Sequence, residues 1–309
     1  MQLGMNRCTL CPRQCGADRS AGATGFCGAT AAPEVASVCL HRGEEPPLNP
    51  IVNVFFSHCN LQCIYCQNWQ ISQGERSKVK GEKYTFDTLA NHIVSQLSTL
   101  NSHLLGFVTA SHYADQLPAI IEAVRSQLSA THEPQPTIVY NCGGYESVDT
   151  LRSLEGLVDI YLPDFKYMDP ALAAAYSHAP DYPAVAQAAL KEMRRQVGGG
   201  LKTDDEGHAY RGLIVRHLVL PGAVDNSIQC LEWLADEFPF GLHLSLMAQY
   251  FPPRPGLPTP LDRCVTAEEY AAVVDRAQEL GLTDGWIQEL DAQSNYRPDF
   301  SFTDNPFEP

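Results

Sequence analysis

Short apolar runs alternate along this chain with stretches in which apolar residues recur every three or four positions, a pattern that predicts strands separated by helices. The strand-like runs are Ile51 to Phe56, Leu104 to Thr109, Thr137 to Tyr140, Val158 to Leu162, Leu213 to Leu220, Leu242 to Ala248 and a last piece from Trp286 to Leu290. Phe86, Leu89, Ile93, Leu97 and Leu100 trace one amphipathic helix. Leu117, Ile120, Ile121, Val124 and Leu128 trace a second over Ala114 to Leu128, with Pro118 tolerable in its first turn. Further helices are expected over Val148 to Leu154, over Pro183 to Arg194 with Gly198-Gly199-Gly200 ending it, and over Asn226 to Phe238. Thr266-Ala267-Glu268-Glu269 has the capping-box pattern and opens a helix to Leu280.

Strands joined by helical crossovers argue for a parallel sheet. The expected fold class is α/β, a partial (β/α) barrel of about six to seven parallel strands, fewer than the eight of a full barrel. Residues 1–45 read as a cysteine-rich N-terminal arm with a candidate metal site, and 46–290 as the barrel. The tail, 291–309, is polar, proline-containing and aperiodic, so it is expected to wrap the surface or to be disordered. The proline-rich stretch Phe251 to Pro258 reads as a stiff connection across the barrel top.

Composition narrows the function. With 309 residues, 44% of them hydrophobic, the chain can bury roughly three quarters of its unfolded surface in one barrel-sized core. A formal charge of −15 disfavours a phosphate-tracking surface, so nucleic acid is not an expected partner. No run of eighteen apolar residues occurs, and Met1 to Leu10 has no apolar signal core, so no membrane association is expected. The expected location is cytoplasmic, where eleven cysteines point to metal and thiol chemistry because disulfides do not persist in a reducing compartment.

Eight of those cysteines precede residue 67. Cys59, Cys63 and Cys66 are spaced C-x3-C-x2-C directly after the run Ile51 to Phe56. Three thiolates this close can hold three irons of a [4Fe–4S] cubane and leave the fourth iron open, whereas a closed cluster takes four cysteines. An open coordination position is a place for chemistry. Zinc would want four ligands in paired knuckles, and three unconnected buried cysteines would need no metal at all.

This motif, with Tyr65 before its last cysteine, resembles the radical S-adenosylmethionine (SAM) superfamily. The resemblance implies a cluster whose open iron binds the SAM amino and carboxylate groups. It implies reductive cleavage of SAM and a 5′-deoxyadenosyl radical that abstracts hydrogen. It also implies a reductant such as flavodoxin or ferredoxin.

Cys8, Cys11, Cys15 and Cys27 form a second group in the arm, and four ligands from one segment would make a closed site. The candidates are an auxiliary iron–sulfur cluster or zinc, since spacing alone does not select the metal. Cys39, Cys142, Cys230 and Cys264 are expected as buried core residues.

In a (β/α) barrel the active site lies at the C-terminal ends of the strands. Polar residues gather there in register: the cysteine loop, Thr109-Ala110-Ser111-His112, Asn141-Cys142-Gly143-Gly144, Asp164-Phe165-Lys166, Arg216-His217 and Gln249. Together with His41-Arg42-Gly43-Glu44-Glu45-Pro46-Pro47, Asp159 to Met168, and Arg216 to Gly222, they resemble the radical SAM group of pyruvate formate-lyase activating enzyme homologues, over nearly the whole chain to about Leu280. In glycyl-radical activating enzymes a Gly-Gly-Glu segment after the second strand holds the SAM amino group. Thr109-Ala110-Ser111-His112 replaces it here, leaving backbone carbonyls and the Thr109 or Ser111 hydroxyl to accept from the ammonium, with His112 alongside. By the same resemblance Lys166 contacts SAM, Arg216 approaches its carboxylate with a planar fork of donors, and Asn141 contacts ribose or carboxylate. The hydrogen donor implied by the group is a glycine of a partner enzyme. A small molecule or peptide is the second reading, and a non-catalytic iron–sulfur electron carrier the third. A barrel mouth plugged by residues 1–45 would count against protein-directed chemistry. No phosphate loop, Gly-x-Ser-x-Gly elbow or His-Glu-x-x-His pair is present.

Overall fold

The computed structural model describes residues 7–43, 45–73, 77–100, 102–295, 297–301 and 305–307. Strands β1 (Glu34–His41) and β2 (Ile51–Phe56) precede a short helix α1 (Trp69–Ser72) and the two-residue strand β3 (Glu82–Lys83). Alternation then begins with α2 (Phe86–Leu100), β4 (Leu104–Val108), α3 (Leu117–Thr131), β5 (Thr137–Cys142), α4 (Val148–Ser153) and β6 (Ile160–Pro163). Helices α5 (Pro170–Ser177) and α6 (Tyr182–Val197) follow, then β7 (Lys202–Thr203) and β8 (Ala209–Leu218). The chain continues through α7 (Val224–Glu237), β9 (His243–Met247), α8 (Ala267–Glu279) and β10 (Gly285–Ile287).

β2, β4, β5, β6, β8, β9 and β10 lie side by side in that order, every neighbouring pair parallel. These seven strands are the expected partial barrel. β1 runs antiparallel along the free edge of β2, and β3 lies antiparallel beyond it. Among the described residues nothing pairs β10 with that far edge, so the barrel stays open. β1 was not legible as a strand, because Glu34, Ser37 and His41 interrupt its apolar residues. Its pairing with β2 makes the last part of the expected arm a piece of the sheet.

The two faces of the sheet differ. Side chains alternate along a strand, so Val52, Val54 and Phe56 of β2 enter the large core beneath the helices, together with Leu105, Phe107, Val215 and Leu246. Ile51, Asn53 and Phe55 point into the barrel. At the bottom of the barrel Ile51, Leu104, Val139, Ile160, Leu162 and Ile214 close a separate apolar layer. Higher up, Gly106 makes room for Asn53, since a Cβ there would stand 2.0 Å from the Asn53 Oδ1.

Of the two expectations for the tail, a surface wrap or disorder, the described tail residues follow the first. Phe300 is buried against Phe55 with ring centroids 5.4 Å apart, and Phe307 stacks on Phe55 at 5.7 Å and on His41 at 4.3 Å. The Gln70 carboxamide binds Asp299 and the Phe300 N–H, each at 2.8 Å. Two aromatic rings and this polar clasp outweigh the polar composition, which was the only signal in the sequence. The remaining tail residues, 296, 302–304, 308 and 309, lie outside the described set. Helix α5, unpredicted because its alanines show no period, begins at Pro170 behind Asp169, whose side chain accepts from the Ala171 N–H at 2.7 Å.

The capping box of α8 is present: the Glu269 N–H donates to Thr266 Oγ1 at 3.2 Å, and the Thr266 N–H to the Glu269 carboxylate at 2.9 Å. Thr266→Ala should cost about 1 kcal/mol in urea unfolding; an unchanged midpoint would show that the cap contributes nothing.

Candidate active site

The loop after β2 turns sharply. His58 (φ 75°) and Gln62 (φ 56°) adopt left-handed backbone on either side of Cys59, and the Cys66 N–H donates to the Cys63 carbonyl at 3.2 Å. Non-glycine residues held there store strain, which concentrates at functional sites. The loop sets Cys59, Cys63 and Cys66 on one wall of the barrel cavity. Burial, with the neighbouring Cys63 and Cys66 thiols adding to it, pushes Cys59 up to about 12. Burial and the Cys63 thiol push Cys66 up to about 11, and burial raises Cys63 as well.

The polar donors around the sulfurs are the Leu61 N–H at 3.4 Å from Cys59, the Ser72 hydroxyl at 3.4 Å from Cys66 and the Ser177 hydroxyl at 2.9 Å from Cys63. Metal binding deprotonates thiols outright and compensates their charge, so three neighbouring thiols, Cys63 buried and Cys59 and Cys66 half-buried, with hydrogen-bond donors behind them suit a cluster. Among the described residues no three His, Cys, Asp or Glu side chains converge on a single ion. A cubane asks less of them, since each thiolate takes a different iron.

The opposite walls carry the strand ends. Thr109, Asn141, Asp164, Lys166, Arg216 and Gln249 all line the same cavity as the three cysteines. Thr109 (φ 57°) is a third strained residue, and its N–H donates to the Asn141 carbonyl at 2.9 Å. Gly144 (φ 77°) lets β5 turn beneath the Asp164 carbonyl, 2.2 Å from where a Cβ would stand. Burial works against the Lys166 ammonium, but the Asp164 carboxylate 2.5 Å away and the Cys63 sulfur hold its pKa above the ordinary lysine range.

Arg216 is met from below by Glu45, buried on the loop before β2, whose carboxylate lies 2.9 Å from the Arg216 Nε. Sequence reasoning missed Glu45 and Asn53 as cavity residues. The polar Asn53 inside the otherwise apolar run Ile51 to Phe56 was the signal that could have found it. Glu44, of the segment that carries Glu45, lies outside the described residues.

Two expected cofactor contacts are directed elsewhere. The Ser111 hydroxyl is bound to the buried Glu146 carboxylate, and the His112 Nε2 lies 2.7 Å from the Ser57 carbonyl. Neither lines the cavity, because the short 3-10 turn Ser111–Tyr113 rotates them beneath the sheet edge. Burial holds His112 down to about 3 and His217, 2.7 Å from the Phe165 carbonyl, down to about 4. Glu146, hydrogen-bonded also to Tyr140 at 3.1 Å, is raised by burial to about 7.

The arm lies beside the cavity. Cys8, Cys11 and Cys27 are buried and Cys15 is exposed. Burial raises Cys11 to about 12, with Cys27 and Cys8 adding, and raises Cys27, with Cys8 and Cys15 adding. The four thiols thus sense one another. The Ala29 N–H donates to Cys27 Sγ at 3.4 Å, a donor of the kind that sulfur ligands accept. The arm is fastened by Thr150 to the Leu10 carbonyl at 2.6 Å, by Gln116 to the Ala31 carbonyl at 2.8 Å and by Arg13 to the Asn60 carbonyl at 2.9 Å. Its cysteines do not line the cavity. Of the other cysteines, Cys39, Cys142 and Cys230 are buried as expected, whereas Cys264 is only half-buried beside exposed Arg263. Arg254 of the proline-rich stretch reaches the Ile64 carbonyl at 3.3 Å, so that connection does cross the cluster loop.

No protein-family model matches the chain. An uncharacterized protein of Methanocaldococcus jannaschii, MJ0674, is 27% identical over 285 residues, covering 89% of this chain and 75% of that one. Among solved structures, native anSMEcpe with bound AdoMet superposes with a TM-score of 0.52 at 11% identity, over 75% of this chain. The same protein with bound AdoMet and Kp18Cys peptide gives 0.51 at 8% identity. The chain spans 60% of the length of either. At such identities the likeness is one of fold, an α/β partial barrel. Among the described residues no helix is long and apolar enough to cross a membrane.

The raised Glu146 predicts a pH signature. Between pH 4.5 and 7 the folded chain keeps a proton that the unfolded chain releases, so this contribution is full below 4.5 and lost as pH rises through 7. His112 and His217, kept neutral by burial, act oppositely, losing stability as pH falls below 6.5. The stability difference between wild type and Glu146→Gln should therefore fall by about 3 kcal/mol across that window. A difference independent of pH in urea titrations would refute the assignment.

Proposed function

We propose that the chain is a radical SAM enzyme. The observation that carries this reading is the convergence, in one cavity, of three cysteines from the loop after β2 with Thr109, Asn141, Lys166 and Arg216 from the ends of β4, β5, β6 and β8. Cys59, Cys63 and Cys66 would hold three irons of a [4Fe–4S] cluster. When bound, such a cluster would supply the electron that splits SAM into methionine and a 5′-deoxyadenosyl radical.

The residues around it bind and orient. Arg216, fixed by Glu45, offers a planar donor fork to a carboxylate, which suits the methionyl end of SAM. Thr109 and Asn141 offer oxygens to an ammonium, and the Thr109 hydroxyl and the Asn141 amide can each bond a ribose hydroxyl. The Asp164–Lys166 pair forms the wall nearest Cys63 and gives it fixed charge rather than mobile water. AdoMet bound to anSMEcpe, a protein of the same fold, supports the cofactor assignment.

The substrate we propose is a peptide or protein segment, and within that class a glycine of a partner enzyme. The four arm cysteines stand outside the cavity lining, to which His41, Gly43 and Glu45 of residues 1–45 contribute, and a Kp18Cys peptide accompanies AdoMet in the anSMEcpe neighbour. We propose a reducing cytoplasmic setting with a flavodoxin or ferredoxin as reductant, the setting in which eleven cysteines would serve metal and thiol chemistry. Cys8, Cys11, Cys15 and Cys27 are proposed as ligands of an auxiliary iron–sulfur cluster; zinc, the other candidate, requires the sulfurs to close on one ion, an arrangement that no three such side chains make among the described residues.

Anaerobic reconstitution, iron and sulfide analysis, and reduction with dithionite in the presence of SAM test the reading. 5′-Deoxyadenosine should form, with about four irons for one cubane and about eight if the arm holds a second. Cys63→Ala should abolish deoxyadenosine formation; full activity in that variant would refute the cluster assignment. A reducible cluster that leaves SAM intact would favour an electron carrier.

A further inference from the structure

We propose that Ser177 positions and tunes the Cys63 sulfur, and that Arg13 of the N-terminal arm holds Ser177 in place, so that the arm influences the reduction potential of the cluster site. This rests on the radical SAM reading above. Ser177 is the last residue of α5 and wholly buried, and its Oγ stands 2.9 Å from Cys63 Sγ. The Tyr167 hydroxyl lies 2.7 Å from Ser177 Oγ, and the Tyr65 hydroxyl a further 2.7 Å on.

Each hydroxyl has one hydrogen to give, and a thiolate only accepts. With Cys63 ionised, Ser177 gives its hydrogen to the sulfur, while the Tyr167 hydroxyl packed against Ser177 Oγ donates to Tyr65. All three hydroxyls are buried, and a hydrogen bond such as that from Ser177 to sulfur is stronger in such surroundings than in water. Hydrogen bonds to ligand sulfur favour the more negative, reduced cluster and so raise its potential.

The end of α5 is held from outside. The Arg13 guanidinium donates to the Ser177 carbonyl at 3.1 Å, to the His178 carbonyl, and to the Asn60 carbonyl at 2.9 Å. One planar cation thereby joins the helix C-terminus, where positive charge is favourable, to the residue between Cys59 and Cys63. Its guanidinium carbon lies 3.9 Å from the Phe26 ring centroid, beside Cys27. The Ile64 N–H adds a bond to the Tyr176 carbonyl at 2.9 Å. Arg13 also sits between Cys11 and Cys15, so whatever orders those cysteines also orders Arg13.

The test compares reconstituted wild type, Ser177→Ala, Tyr167→Phe and Arg13→Lys, which keeps the charge and loses the fork. Iron and sulfide content are measured first, then the midpoint potential by redox titration followed by electron paramagnetic resonance. We expect Ser177→Ala to retain its iron and, at the wild-type midpoint, to hold about threefold less reduced cluster relative to oxidised. Tyr167→Phe and Arg13→Lys should shift the midpoint in the same direction by less. A merely structural contact would lower thermal stability and leave the midpoint where it was. Unmoved midpoints in all three loaded variants overturn this proposal alone. If Ser177→Ala loses its iron, unmoved midpoints in Tyr167→Phe and Arg13→Lys overturn it equally. A wild type with no reducible cluster overturns the radical SAM reading and this proposal with it.

Discussion

Side chains on a strand alternate between two faces, and here β2, β4 and β6 are buried on both, whereas β10 at the open edge stays largely exposed. Everything else depends on how those faces are shared out. The outward set, Val52, Val54 and Phe56 in β2 and their counterparts, seals the helices onto the sheet and contributes most of the apolar burial. The inward set is wholly apolar at the bottom, where Ile51, Val139, Ile160 and Ile214 close the barrel floor, and mixed above it, where Phe55, Val108 and Met247 share the wall with polar residues. Above that floor stand Asn53, Asn141 and Arg216, polar side chains that the strands can carry inside because the open barrel leaves them a cavity.

That polar layer must satisfy its own charges, since burying an unpaired ion is costly. Arg216 is matched by Glu45 and Lys166 by Asp164. The three thiols of the loop after β2 are different. Burial keeps their protons on, and a metal centre that took them up would have to displace those protons and supply the balancing positive charge. The arm and the tail finish the enclosure in different ways: the arm fastens the cysteine loop and the end of α5 from outside, while Phe300 and Phe307 cover Phe55 at the inner edge.

Much of the fold was legible in the sequence because buried parallel strands read as continuous apolar runs and the helices between them as periodic ones. β2 and α2 fall on the residues their patterns indicated. β1, α5 and the packed tail did not show, since each owes its order to a partner distant in sequence: β2 for β1, the cysteine loop for α5, and Phe55 for the tail.

The site divides the same way. The spacing of Cys59, Cys63 and Cys66, and the polar residues closing each strand, were set by the sequence alone, because motif spacing and strand period are local properties. Which of two adjacent polar residues faces the cavity was decided only by tertiary structure. Thr109 lines it while Ser111 and His112 turn beneath the sheet edge, and Arg216 points inward while its neighbour His217 is buried under the helices. Glu45, Ser177 and Arg13 belong wholly to the second category: each lies far along the chain from the group it touches, and only closure of the sheet brings them together.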